Sequence, residues 1–125
     1  MAAKPPRRGP RSAAPSPERW SCETRSGDVA HLDIPADAAR ERTFEIYCSL
    51  VVVHRGGDNA VHALRVLIDG AQAWSRRVAT DRGASDSLDV RLRRSVPVGR
   101  ALRITATGEV DGAMPVRLSI SADEE

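Results

Sequence analysis

Residues 87–93 read Ser-Leu-Asp-Val-Arg-Leu-Arg, and the fold class is decided there. Leu88, Val90 and Leu92 alternate with Asp89, Arg91 and Arg93. Successive side chains of a strand point to opposite faces, so this spacing predicts a strand with one buried and one wet face. The same period recurs where Leu102, Ile104 and Ala106 alternate with Arg103, Thr105 and Thr107, and where Val116, Leu118 and Ile120 alternate with Arg117, Ser119 and Ser121. Residues 43–53 place Phe44, Ile46, Cys48, Leu50 and Val52 on one side. Val51 and Val53 are apolar too, so the second half of this run is expected at the middle of the core, covered on both faces.

The intervals between these runs hold turn-forming residues: Gly56, Gly57, Asp58 and Asn59; Asp69 and Gly70; Asp81, Arg82 and Gly83; Asp111 and Gly112. Asp-Gly pairs accept the positive φ of tight turns, so residues 64–79 and residues 102–120 each read as a hairpin. Turns at this frequency imply roughly seven or eight short strands. The predicted fold class is all-β, an antiparallel, jelly-roll-like β-sandwich. Only residues 35–42, Pro-Ala-Asp-Ala-Ala-Arg-Glu-Arg, have helical composition, enough for one or two turns serving as a connector. Aromatic residues are confined to Trp20, Phe44, Tyr47 and Trp74, so Val, Leu, Ile and Ala must fill the core.

A chain of 125 residues has room for one domain. Residues 1–19 carry Lys4, Arg7, Arg8, Arg11 and Arg19 against Glu18, a net charge of +4; the whole chain is +2, so residues 20–125 sum to −2. The same segment holds Pro5, Pro6, Pro10, Pro15 and Pro17 and almost nothing large and apolar. It is expected to be a disordered basic arm, residues 1–19, ahead of a sandwich domain, residues 20–125. Nothing approaches the run of about 18 apolar residues that spans a membrane, and the basic start is not followed by the apolar segment of a secretory signal. A cytoplasmic address follows as the expectation. Cys22 and Cys48 make neither a disulfide framework nor a zinc set; Cys48 shares the inward parity of Ile46 and Leu50 and reads as an inert core thiol. An exported chain would allow the two cysteines to meet as a bridge.

The order of features from Asp28 to Ala122 resembles the galactose-binding-like jelly rolls, and among them a carbohydrate-binding module often attached to glycoside hydrolases. The residues concerned are His31 to Pro35, Arg42 to Phe44, Ser49 to Val52, and Leu64 to Gly70 followed by Trp74 and Ser75. The resemblance implies a sandwich fold and a glycan as ligand. Residues 114–122 differ from the family pattern in lacking its acidic, tryptophan-bearing final motif.

Chemically suggestive residues are few. His31, His54 and His62 lack the spacings that present two ligands to one metal, so no metal or cofactor is expected. No Gly-x-Ser-x-Gly elbow presents a nucleophile, and no glycine-rich loop leads into a helix to hold phosphate. Asp58, Asp69, Asp81, Asp86 and Asp111 sit where turns want Asp for backbone hydrogen bonds, which outweighs calcium binding. Trp74 reads as a core or cap residue, with a sugar platform as the alternative. Leu67 lies on the opposite parity from Leu64, Val66 and Ile68, either covered by a layer or part of a partner-binding patch. Arg65, Arg91, Arg93, Arg103 and Arg117 would form a basic surface only if their strands neighbour one another.

The function expected is a non-catalytic binding module that docks a protein partner or a glycan, with Arg65, Leu67, Asp69 and Trp74 as candidate binding residues. The alternative is a nucleic-acid-associated or assembly protein whose arm contacts phosphates through Lys4, Arg7, Arg8 and Arg11. An enzyme is disfavoured because no acid, base and nucleophile can be paired from the sequence.

Overall fold

A computed structural model describes residues 16–25 and 28–125. Eight strands follow one another: β1 (Arg19–Thr24), β2 (Val29–Ile34), β3 (Arg42–His54), β4 (Val61–Ile68), β5 (Ala71–Ala79), β6 (Asp86–Val96), β7 (Leu102–Asp111) and β8 (Ala113–Glu124). They form two four-stranded antiparallel sheets, β1-β8-β3-β6 and β2-β7-β4-β5. The pairing is nested: β1 with β8, β2 with β7, β3 with β6 and β4 with β5. The chain is thus one long hairpin whose tip is β4–β5, rolled until β3 also meets β8 and β4 meets β7. This is the double-sheet jelly roll.

The tip is made by Asp69 and Gly70, at φ 50° and 86°. Both lie in the left-handed region that a two-residue hairpin turn requires. The inward rows meet between the sheets. Phe44, Ile46, Cys48, Leu50 and Val52 of β3 and Leu118, Ile120 and Ala122 of β8 face Leu64 and Val66 of β4 and Leu102, Ile104 and Ala106 of β7. Each fully buried aliphatic or phenyl side chain contributes about 1.5–3 kcal/mol relative to exposure. Gly108 continues the β7 row because a Cβ there would lie 3.0 Å from Leu50 Cδ1.

β3 is central as expected, hydrogen-bonded to β6 and β8 along its length. Its outer face is half-covered by side chains of the same sheet. The Arg91 guanidinium sits 4.6 Å over the Tyr47 ring, and Ser49 Oγ donates to Asp89 at 2.6 Å.

Two expectations are corrected. Residues 102–120 do not form a hairpin, because Gly112 carries the chain from one sheet to the other. Asp111 pairs with Val61 of β4, Ala113 pairs with His54 of β3, and Arg55 N donates to Gly112 O. In a hairpin Ile104 and Ile120 would share one sheet; here they oppose each other across the core. The positive φ of Gly112, 75°, suits such a corner as well as a tight turn. Residues 35–42 form no helix. Asp37 Oδ1 accepts the Ala39 and Arg40 amides in a side-chain-closed turn, and β3 has already begun at Arg42. So short a segment cannot meet the cost of helix nucleation, and Arg40 and Arg42 are drawn to partners on other elements.

Those partners close one end of the sandwich. The Arg42 side chain is 1% exposed and donates to Glu18 Oε1 at 2.8 Å and to Pro35 O at 2.9 Å, and its guanidinium carbon lies 5.4 Å from the Phe44 ring centre. Arg40 joins Glu18 at 3.0 Å and makes two contacts with Glu124. Glu124 Oε1 also accepts the Glu18 amide, and Trp20 Nε1 donates to Glu18 Oε1. Glu18, assigned by composition to the arm, is therefore bonded into the fold one residue before β1.

Two outcomes follow. Gly112→Ala adds a Cβ 3.1 Å from Ala60 Cα and Cβ at a positive φ and is expected to lower unfolding stability by roughly 1–3 kcal/mol. Gly83→Ala, whose Cβ meets only Asp81 Oδ2 at 4.0 Å, should change it little; denaturant midpoints of the two variants decide. The Arg40 hydrogen bond holds the Glu124 carboxyl down at about 2, from an ordinary 4.5. A carboxylate with a lowered folded value stabilises above its unfolded value and loses that contribution as pH falls. Glu124→Gln should therefore be less stable than the parent at neutral pH, with the difference vanishing between pH 4.5 and about 2; thermal melts across that range measure it.

Candidate functional site

Strand parity turns a polar row outward from each strand of the β2-β7-β4-β5 sheet. His31 and Asp33 come from β2, Arg103, Thr105, Thr107 and Glu109 from β7, and Arg65 and Leu67 from β4. The β2 side is internally satisfied: His31 Nδ1 is 3.1 Å from Thr105 Oγ1, and Arg103 Nε donates to Asp33 at 2.7 Å. The β4–β5 side is not. A shallow groove of about 230 Å³ is lined there by Ala63, Leu64, Arg65, Gln72, Ser75, Arg77, Thr107 and Glu109. Arg65 stands between Ser75 on β5 and Thr107 on β7 in register. Among the described residues, Arg65, Arg77 and Glu109 have no ion pair or side-chain hydrogen bond. β5 is an edge strand, with one side of its backbone unpaired.

The register shift between Val66 and Leu67 inserts Ala73 as an extra residue on β5. It brings Trp74 opposite inward-facing Val66, where the indole packs half-buried against the core. The four residues singled out from sequence therefore separate. Arg65 and Leu67 stay on the outer face; Trp74 belongs to the interior side. Asp69 sits at the hairpin tip, where its amide donates to Arg103 O and its carboxylate accepts Arg103 N, both at 2.8 Å. Asp69 also borders a separate cavity of about 200 Å³ with Ser95, Pro97 and Arg100. Gln72, Ser75, Arg77, Thr107 and Glu109 were not singled out from sequence. Thr107 and Glu109 share the outward parity of Arg103, but their meeting with Arg65 depends on β4–β7 adjacency, and Arg77 reaches this face only because of the Ala73 bulge.

The remaining candidates are dispersed. The five outward arginines divide between the two sheets: Arg65 and Arg103 on one, Arg91, Arg93 and Arg117 on the other. Arg91 pairs with Glu45 and Arg93 with Glu125. His54 Nδ1 accepts the Gly56 amide. His62 is fully buried with Nδ1 2.8 Å from Thr80 Oγ1. Asp86 accepts the Asp81 and Ser87 amides, and its carboxyl is held below the ordinary range mainly by the Asp81 amide. Asp58 pairs with Arg82. Among the described residues no three acidic, histidine or cysteine groups gather as metal ligands, and no helix is long and apolar enough to cross a membrane. Lys4, Arg7, Arg8 and Arg11 lie outside the described residues.

Desolvation pushes the Cys48 thiol up to about 12 and raises Cys22 as well. Both cysteines register with Ile120, Cys22 from β1 and Cys48 from β3. Two strand spacings, about 9.5 Å, therefore separate their backbones, beyond the reach of a disulfide, about 7 Å between Cα atoms.

No family model matches this chain, and no curated protein matches it. Its structure is similar to dimeric latent PorU from Porphyromonas gingivalis, with TM-score 0.48 and 12% identity over 91% of this chain. This chain spans 13% of the length of that protein. These comparisons show no carbohydrate-binding family for the chain; the all-β sandwich that the resemblance implied is what it forms.

Native protein exposed to an alkylating reagent at mildly basic pH should keep Cys48 unlabelled, labelling only as fast as it unfolds, and mild oxidation should give no intrachain bridge. Peptide mapping by mass spectrometry of native and denatured samples tests both.

Proposed function

We propose that this chain is a non-catalytic interaction module that docks an acidic segment of a protein partner on the outer face of the β2-β7-β4-β5 sheet. One observation carries the reading. Two guanidinium groups, Arg65 and Arg77, make no ion pair among the described residues and stand beside the Gln72 amide and the Ser75 and Thr107 hydroxyls, in a groove that Glu109 also lines. Guanidinium forks suit carboxylates in bidentate geometry. Leu67 on the same face offers an apolar contact. A glycan fits less well, since sugar faces favour aromatic platforms and no ring lines this groove. Nucleic acid fits less well, since two cations are few beside the several phosphate contacts that such binding uses.

The test is affinity capture from the native host, with the full chain beside R65E/R77E, at low and high salt. The expected result is a protein bound by the parent and weakened at least about tenfold by the double reversal, as befits charge-assisted contacts, with unchanged melting temperature. Retention of that partner by R65E/R77E would overturn the reading. So would recovery of nucleic acid alone, lost when the chain begins at Ser16.

A further inference from the structure

A different surface bears on self-association. The sandwich has four edge strands: β1 and β6 in one sheet, β2 and β5 in the other. β1 and β2 lie together and close their side, with Cys22 Sγ 3.2 Å from His31 O. β5 carries a bulge and the adjacent pair Arg76 and Arg77, devices that discourage edge pairing. β6 differs. It is 11 residues long, is hydrogen-bonded on one side only, to β3, and carries no register shift.

The sequence of β6 is self-complementary when read against itself in the antiparallel direction about Val90. Asp89 then faces Arg91 of the second copy and Arg91 faces its Asp89. Ser87 faces Arg93, Leu88 faces Leu92, Asp86 faces Arg94, and Val90 meets its own copy. Opposite charges meet once on each face, Asp89 with Arg91 on the outer and Asp86 with Arg94 on the inner. Directly opposed unlike charges and apolar pairs are the units that stabilise an antiparallel ladder. A two-fold arrangement makes each contact twice, as a self-complementary interface requires. Val90 and Leu92 are only partly buried at the rim of the core, so the pairing would complete their cover. Arg91 and Arg93 have side chains 65% and 71% exposed, with partners only along their own sheet.

We propose that β6 is a homodimerisation edge, pairing antiparallel with β6 of a second copy about a two-fold axis at Val90 and joining two four-stranded sheets into one of eight strands. The interface is distinct from the groove around Arg65, and either can fail without the other.

Sedimentation equilibrium of the full chain tests it. The parent should show a concentration-dependent dimer that loosens as salt rises. Asp89→Arg or Arg91→Asp alone places like charges opposite each other twice and should weaken the dimer by about tenfold or more. The swap D89R/R91D restores complementarity and should recover the affinity. Because Asp89 also accepts Ser49 Oγ, a second test avoids charge altogether. Val90→Cys should cross-link to its own copy under mild oxidation, since directly paired residues lie within disulfide range, while Ser95→Cys should not. A chain that stays monomeric, a dimer indifferent to both single reversals, a swap that fails to recover it, or cross-linking at residue 95 in preference to 90 overturns the proposal.

Discussion

The parity of β3 is the constraint on which the molecule depends. The longest strand, it pairs along nearly its whole length on both edges, with β6 and with β8, so its register fixes theirs. A slip by one residue would carry Phe44, Ile46, Cys48, Leu50 and Val52 out to solvent and bring Glu45 into the core. The irregularity between Val51 and Val52 falls where β8 holds Pro115, which has no amide to give the ladder. β8 bends there toward its corner at Gly112, and the regular part of the register, from Phe44 to Val51, is left intact.

Around that strand, one end of the sandwich is tied by charge. A buried arginine is costly unless its donors are used. Arg42 offsets part of the cost through its terminal nitrogens, with Glu18 from before the first strand, Pro35 O from the β2–β3 connection, and a longer contact of 3.4 Å to Arg100 O in the β6–β7 connection, while its Nε has no partner among the described residues. Three segments distant in sequence are thereby fixed to one guanidinium. Arg40 adds Glu124 from the last strand. The opposite end relies on glycine and turn chemistry, with Gly56, Gly57 and Asn59 at positive φ and Arg82 bonded to Gly57 O and Asp58.

Much of the fold was legible because alternation is a local signal. The inward rows of β6 and β7, Leu118 and Ile120 of β8, the Asp69-Gly70 hairpin and the inert environment of Cys48 could be read from spacing alone, whereas Val116, expected inward with them, is exposed at the register shift between Pro115 and Arg117. The errors came where one local signal serves two structures. Asp111-Gly112 can make a hairpin or a corner between sheets, and only the non-local partners His54 and Val61 decide. Residues 35–42 have helical composition, but their arginines answer to Glu18 and Glu124, far away in the sequence. The candidate site was legible only in part for the same reason. Arg65 and Leu67 could be placed outward by parity. The inward turn of Trp74 required knowing of the bulge at Ala73, and the neighbours of Arg65 required the β4–β7 adjacency that comes from rolling the nested hairpin.

That rolling has a geometric result at the chain ends. Arg19 lies opposite Asp123, and Glu124 N donates to Glu18 O, so the points where the chain joins and leaves the sandwich are neighbours in the same sheet. A fold with adjoining ends can be spliced into a surface loop of a host protein as a closed excursion, without prying the host strands apart. Its new termini could be opened in the exposed stretch of residues 81–85 between β5 and β6, leaving every strand intact. Such architecture is portable, and a designer could graft it as an insert as readily as append it to an end.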